Sequence, residues 1–590
     1  MASLAVLARG KALSAVELRH REHKGEPGGW PSSVHPVLQQ VYAARGVLNP
    51  TGVEHRLARM LSPQTLGGMA EAVDLLIQAI RDDWSILIAG DYDCDGATGT
   101  AVAVRGLRLL GARHVSYAVP NRFVHGYGLS PALVESLQPT PQLIVTVDNG
   151  VASVAGVAAA KARGIRVIVT DHHLPGETLP DVDAMVNPNL VGDAFPSKAL
   201  AGVGVMFYLL LALRARLYPG DMVAGKSKET SKLARPDLSC LLDLVALGTV
   251  ADLVPLDFNN RILVEAGLQR IRSGRACAGI AALIEAGKRS VTTLSSSDLG
   301  FVVGPRLNAA GRMEDMALGV ECLLTDDPGQ ARQSAELLNG INLERRELQA
   351  SMVAEADVMV AQFKDIHAVG VALFEPSWHA GVIGLVASKL KDRLHRPVIA
   401  FAPASEDRPE ELRGSARSIS GFHIRDALAM IDARQPGLIE RFGGHAMAAG
   451  LSLKRCDYPR FAAAFDAVAR ELIEPERLQA VLYTDGELPP GAASLALARQ
   501  LRQAGPWGQA FPEPLFDNLF ECHSWKVMGQ RHLRLQLRDP RDGGMHDAVM
   551  FNAYHGQPPP PHLRAVYELG INDWQGRETA RLLLRHIEPA

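Results

Sequence analysis

Ser85-Ile86-Leu87-Ile88-Ala89-Gly90-Asp91-Tyr92-Asp93-Cys94-Asp95-Gly96 is the stretch on which the fold turns. Ser85 to Ala89 is a short apolar run with β-branched residues, and it predicts a strand buried on both faces. Gly96 to Val104 is small and apolar enough to open a helix packed close to a sheet. Asp91, Asp93 and Asp95 therefore stand where a parallel strand hands over to a helix, the edge at which open α/β sheets bind ligands. One aspartate in such a turn reads as structural. Three at alternate positions repel one another and raise each other's pKa unless a cation joins them. Hard oxygen ligands favour magnesium, manganese or calcium. The spacing also matches the opening of an EF-hand loop. That reading fails, because the twelfth position is Val102 rather than Glu and a strand stands where a helix is needed.

Working outward, strands alternate with helices. Arg56 to Asp83 reads as helical, with an apolar period over Met69 to Ile80. Strands are predicted at Val115–Val119, at Leu143–Val147 before Asp148-Asn149-Gly150, and at Ile165–Val169 before Thr170-Asp171-His172-His173. An Ala-rich helix covers Val151 to Arg163, and further helices cover Gly202 to Tyr218 and Leu241 to Val250. The alternation predicts a parallel, doubly wound sheet. Gly225 to Asp237 reads as a polar loop, and Ala331 to Phe363 as one long helix connecting two domains. A second α/β unit begins at Val369 and runs to Leu451. From about residue 480 the pattern changes to short alternating stretches such as His532-Leu533-Arg534-Leu535-Gln536-Leu537 among Pro and Gly, which predicts a small β-barrel or sandwich.

Three neighbouring strand ends thus carry ionisable groups: Asp91, Asp93 and Asp95; Asp148; and Asp171, His172 and His173. Adjacent strands lie about 5 Å apart, so these ends come within reach of one another. Asp252 follows a helix of the same domain. Asp93, Asp95, Asp148, His172 and Asp252 can bridge two divalent ions, with Asp148 as the shared carboxylate. Such a pair activates a water and stabilises the leaving oxygen of a phosphoester. The mixed Asp and His set favours manganese somewhat over magnesium.

Composition narrows the setting. The 590 residues predict three or four domains. A net charge of −3 gives no global basic signature, so a nucleic-acid partner would have to be met by locally gathered charge. The six cysteines form no Cys-x-x-Cys pair, which argues against a zinc site or disulfide framework and fits a reducing cytosol. Neither a signal peptide nor an apolar membrane span is expected, so the chain reads as cytoplasmic.

Asp91-Tyr92-Asp93-Cys94-Asp95-Gly96, Val147-Asp148-Asn149-Gly150, Asp171-His172-His173 and Gly248-Thr249-Val250-Ala251-Asp252 resemble the four motifs of the DHH phosphoesterases. Gly443-Gly444-His445-Ala446-Met447-Ala448-Ala449-Gly450 resembles their DHHA1 substrate-binding domain. Pro305 to Arg312, Trp378 to Gly384 and Gly505 to Pro514 bring the match closest to the branch of single-strand-specific 5′→3′ DNA exonucleases. The resemblance implies an α/β protein with these boundaries: an N-terminal extension over 1–50, a DHH catalytic domain with a parallel sheet over 51–330, and a connecting helix over 331–365. A DHHA1 domain over 366–475 and an OB-fold barrel over 476–590 follow. It implies removal of 5′-mononucleotides from single-stranded DNA with two divalent cations, Mn2+ or Mg2+. Asp93, Asp95, Asp148, His172 and Asp252 would be the metal ligands, with Asp91 and His173 ordering the site or the attacking water. Many members carry His where this chain has Ala89, so one ion would be held more loosely, or by Asp91 or water instead.

The resemblance also implies a substrate path. Arg413, Ser415 and Arg417 would clamp the terminal phosphate by forked, charge-assisted hydrogen bonds, beside Gly443, Gly444, His445 and His379. Arg306, Asn308 and Arg312 would line the cleft between the two α/β domains, and Arg122 and Tyr127 would hold the strand or order their loop. In the barrel Trp507, Phe511, Trp525, His532 and Trp574 are either stacking platforms or core. Family context adds a helicase and the single-strand-binding protein as partners, in repair and recombination. The alternatives are a DHH hydrolase of short oligonucleotides, against which the C-terminal barrel argues, and an inactive DNA-binding scaffold, against which the four intact acidic motifs argue.

Overall fold

The computed structural model describes residues 16–121, 126–219, 235–362, 368–405, 407–529, 531–554 and 556–590. Its strands in chain order are β1 (Glu17–His20), β2 (Ile86–Ala89), β3 (Val115–Ala118), β4 (Leu143–Val147), β5 (Arg166–Thr170) and β6 (Ala184–Val186). Then come β7 (Val371–Phe374), β8 (Val398–Pro403), β9 (Glu411–Arg417), β10 (Arg441–Gly444), β11 (Ala448–Lys454) and β12 (Val481–Thr484). The last five are β13 (Phe516–Met528), β14 (His532–Arg538), β15 (Met545–Met550), β16 (His562–Trp574) and β17 (Arg577–Pro589). The chain divides into two compact units. One holds residues 20–341 and 484–590, and the other holds 342–483 with the stretch before residue 20. β1 and β12 pair where the chain passes from one unit to the other.

The larger unit is built on a parallel sheet of order β3-β2-β4-β5-β6. Every residue of β2 and β4 is buried, as parallel strands covered on both faces require. The expected strands are present. The three-residue β6 is an addition, too short to show a period in the sequence. The helix after β2, Cys94–Leu109, is capped by Asp93, whose carboxylate accepts from Gly96 N at 3.0 Å. Its small residues allow close packing: a Cβ on Gly99 would lie 2.5 Å from Val147 Cγ1, and one on Gly106 2.3 Å from Leu210 Cδ1. The buried helices Gly202–Leu217 and Leu242–Ala251 pack against it.

The same unit contains the C-terminal barrel, closed in the order β13-β14-β15-β17-β16. The N-terminal segment, for which the sequence offered no function, bolts onto the approach to this barrel. Arg45 forms a buried two-pronged pair with Asp485 (2.6 and 3.1 Å), and Tyr42 donates to Ala504 O at 2.8 Å. Tyr42 stacks with Trp30, Trp507 and Phe511, with centroids 5.2, 6.1 and 6.5 Å away. Arg261 lies over Phe511 at 4.2 Å. Trp507 and Phe511 are therefore core (5% and 2% exposed), which removes them from the possible stacking platforms. Trp525 and Trp574 remain exposed, at 40% and 70%.

The second unit carries a mixed sheet of order β10-β11-β9-β8-β7, parallel only between β7 and β8. One face packs a core of Phe401, Leu412, Leu451, Phe461 and Phe465 with its helices. A single helix, Pro328–Gln362, spans the expected connector. Arg122 and most of the Gly225–Asp237 loop lie outside the described residues. Among the described residues no helix is long and apolar enough to cross a membrane.

Candidate active site and metal centre

The ends of β2, β4 and β5 are neighbours in the sheet, and each delivers acid or imidazole to one point. Ligand atoms of Asp91, Asp93 and Asp148 lie within 4.8 Å of one another; so do those of Asp95, His172 and Asp252, and those of Asp148, His172 and His173. Asp148 and His172 are thus shared members. His172 Nε2 stands 3.0 Å from Asp148 Oδ1, 3.6 Å from Asp252 Oδ2 and 4.0 Å from Asp95 Oδ2. Asp148 reaches this position with a φ of +64°, a left-handed conformation that costs a non-glycine residue strain and is found at functional sites. Asp91 converges here too, beside Asp93 and Asp148.

The electrostatics are those of a site built for cations. Burial, and then Asp93, push Asp95 up to about 7. Burial, and then the neighbouring carboxylates, push Asp148 and Asp252 well above the usual range. Buried carboxylates this close cannot all ionise without a compensating charge. Oxygen donors mixed with imidazole nitrogen fit Mn2+ or Mg2+.

Asp171, which the sequence placed at a strand end without a role of its own, and two asparagines that the sequence did not single out hold the histidines in place. Asp171 accepts from Val151 N (2.8 Å), His172 N (2.7 Å), His173 N (3.1 Å) and His173 Nδ1 (2.8 Å). Burial alone would raise Asp171, but the His173 hydrogen bond and charge with the backbone donors hold it below the usual carboxylate range. Burial alone would lower His173, and Asp171 instead holds it above the usual imidazole value. After β6, Asn187 donates to His173 O at 2.9 Å and Asn189 to His172 O at 2.5 Å. The signal available was Asn187-Pro188-Asn189, a turn tripeptide directly after a short apolar run.

The remaining candidates fall into place within each unit. Tyr127 as a residue is about half exposed, while its hydroxyl reaches Asp148 O (3.4 Å) and His173 Nε2 (3.5 Å). Arg306 donates to Asn339 Oδ1 at 3.0 Å, and Asn308 accepts from Cys94 N at 2.8 Å. Arg312 is half-buried on the same helix, Gly304–Met313. In the second unit Arg413, Ser415 and Arg417 alternate along one face of β9, and Arg417 donates to Ser415 Oγ at 3.2 Å. Ser415, Gly450 and Gly443 lie abreast across β9, β11 and β10. Gly444 must be glycine: its φ is +140°, and a Cβ would lie 2.4 Å from Ala448 O. His445 sits in the turn that follows, its N–H donating to Ala448 O at 2.8 Å. His379 accepts from Gly381 N at 3.1 Å, and burial lowers its imidazole pKa. A Cβ on Gly384 would come 2.8 Å from Ser415 Oγ and 2.9 Å from Arg417 Nη2, so the start of helix Ile383–Leu394 lies against this face.

Comparison with known proteins decides the family. Residues 85–249 match the DHH family N-terminal domain, 360–473 the DHHA1 domain and 484–586 the RecJ OB domain. The single-stranded-DNA-specific exonuclease RecJ of Dickeya dadantii is 49% identical over 566 residues, covering 95% of this chain and 97% of the relative. The chain belongs to the RecJ family. RecJ of Escherichia coli is 46% identical, covering 97% of this chain and 99% of that one. The crystal structure of Thermus thermophilus RecJ in complex with Mn2+ matches with a TM-score of 0.78 at 30% identity, over 98% of this chain and 80% of that one. The fold is thus the DHH parallel sheet, a DHHA1 domain and an OB barrel, as the sequence predicted.

Proposed function

We propose that this chain is a metal-dependent exonuclease that removes 5′-mononucleotides stepwise from single-stranded DNA in the cytoplasm. The observation that carries the reading is the convergence of Asp91, Asp93 and Asp148 with Asp95, His172 and Asp252 on a shared Asp148 and His172. Two divalent cations, Mn2+ or Mg2+, bound there supply charge stabilisation for the attacking and leaving oxygens of a phosphodiester. Asp148, whose ligand atoms group both with those of Asp91 and Asp93 and with those of His172 and His173, would be the carboxylate shared between the cations, with Asp93, Asp95, His172 and Asp252 as the other ligands. Asp171 fixes His173 through Nδ1, which leaves Nε2 as the atom that holds a proton beside the attacking water. Arg413, Ser415 and Arg417 present guanidinium and hydroxyl donors suited to a terminal phosphate, with Gly443 and Gly444 allowing a backbone to approach. The exposed Trp525 and Trp574 of the barrel are available to stack bases. Arg312 and Tyr127 are placed on the strand as secondary contacts. A helicase and the single-strand-binding protein are the proposed partners.

Degradation of 5′-labelled and 3′-labelled single strands, with a duplex control and with and without Mn2+, tests the reading. Immediate release of the 5′ label as mononucleotide, only from single strands, only with metal and not by Asp93→Ala or Asp148→Ala, is expected. Cleavage confined to fragments of a few nucleotides would move the assignment to a short-oligonucleotide hydrolase, and binding without cleavage to a scaffold.

A further inference from the structure

The loop that carries Asp91, Asp93 and Asp95 cannot close its own hydrogen bonds. Its carboxylates face the metal centre, yet the helix that starts at Cys94 leaves its first N–H groups without partners inside the helix. Asp93 satisfies Gly96 N. The Cys94 N–H is satisfied from elsewhere, by Asn308 Oδ1 at 2.8 Å. Less than one turn further along the same helix, Gly311 backs onto the loop so closely that a Cβ would lie 1.8 Å from Tyr92 O. The helix Gly304–Met313 therefore touches the loop at two points, one between Asp91 and Asp93 and one between Asp93 and Asp95. It also reaches the segment before Asp252, since a Cβ on Gly304 would come 3.1 Å from Ala251 Cβ. Arg306 anchors it from behind, through Ala286 O (3.4 Å) and Asn339 Oδ1 (3.0 Å).

We propose that Asn308 is a positioning residue of the metal centre, acting through the Cys94 amide to set the spacing of Asp93 and Asp95, rather than a residue that reads DNA. Its hydrogen bond turns the side-chain oxygen into the loop, whereas the sequence placed Asn308 among the substrate contacts. The inference rests on the metal-centre reading above.

Mn2+ titration followed by electron paramagnetic resonance of the free ion tests it, beside single-strand binding without metal and steady-state kinetics. Asn308→Leu removes the acceptor and should weaken Mn2+ binding on the order of tenfold, as loss of an outer partner of a ligand does. kcat should fall at ordinary Mn2+ while KM for single strands and metal-free DNA binding stay within about twofold. Asn308→Asp keeps an acceptor and should retain near-wild-type Mn2+ affinity, although a carboxylate facing a phosphate would repel it. Gly311→Ala, which presses on Tyr92 O from the second contact, should also weaken Mn2+ binding, and it carries the test if Asn308→Leu fails to fold. Wild-type Mn2+ affinity in Asn308→Leu with weakened DNA binding would overturn the proposal in favour of substrate contact. Absence of Asp148-dependent Mn2+ binding in the wild-type chain would instead overturn the metal-centre reading itself, and this inference with it.

Discussion

Gly202→Ala should disable the enzyme although it replaces no proposed ligand. Gly202 opens the helix Gly202–Leu217, and its N–H donates to Asp95 Oδ2 at 2.6 Å, with Val203 N donating to Oδ1 at 2.9 Å. A Cβ at Gly202 would lie 2.5 Å from Asp148 Cβ and 2.7 Å from its Cα, where ordinary contact begins at 3.4 Å. Asp148 must therefore retreat by about 1 Å, or the helix must back away and drag its hold on Asp95 with it. Asp148 already sits at a φ of +64°, so its backbone has little room to adjust. Overpacking of this kind costs about 1–3 kcal/mol of stability. A displacement of about 1 Å at a catalytic group costs about 100-fold in rate. Initial rates on a saturating single strand across a Mn2+ titration, with thermal unfolding alongside, measure both. Gly204→Ala is the control on the same helix, because its Cβ would meet only Leu200, at 3.3 Å or more. Wild-type kcat and wild-type Mn2+ half-saturation in Gly202→Ala would refute the placement of Asp148 at the centre of the site.

Three further outcomes follow from the same geometry. Asp95, held up to about 7, and Asp148 and Asp252, held higher than usual, keep protons near neutrality that a cation must displace. A carboxyl raised in the folded state loses stability as pH rises from its unfolded value of about 3.9 toward the folded one. Mn2+ should therefore release protons at pH 6, seen by calorimetry in buffers of different ionisation enthalpy, and should raise the unfolding temperature more at pH 8 than at pH 6; a pH-independent gain without proton release contradicts this. Arg45→Ala takes from the buried Asp485 its two-pronged partner, leaving it Leu515 N at 3.0 Å and Arg21 at 3.9 Å, and should cost about 3 kcal/mol in denaturant unfolding, with kcat per folded molecule unchanged. Asp171→Asn removes the charge that holds His173 up, so the His173 titration seen by NMR should move down, and Mn2+ affinity should fall about 10–100-fold.

The strands and the ligands were legible because both obey local rules. Apolar runs at 86–89, 143–147 and 165–169 mark strands buried on both faces, and the acidic and imidazole groups that follow within a few residues must lie at the sheet edge. Three residues are too few to show a period, so β6 was missed, and with it the reason for Asn187 and Asn189. Trp507 and Phe511 could not be sorted from Trp525 and Trp574, because all four sit among glycine, proline and polar residues. Among the groups that cover the first two is Tyr42, more than 400 positions away in the chain. A stack of that kind leaves no trace in the spacing around either partner.

The same division separates the chemistry from its geometry. Carboxylates and imidazoles that converge on a cation are conspicuous, because charge is rarely buried without cause. The groups that hold them are neutral and small: Gly202 against Asp148, Gly311 against Tyr92 and Asn308 on the Cys94 amide. Each makes its contact from a segment far along the chain, and each belongs to a helix whose own pattern is fully explained by burial. A glycine needed because nothing larger fits and a glycine that merely occurs in a helix are the same letter. In this chain the donor set is written at the ends of strands, whereas its precision comes from helices that approach them, and only the folded chain distinguishes the residues that matter there from their neighbours.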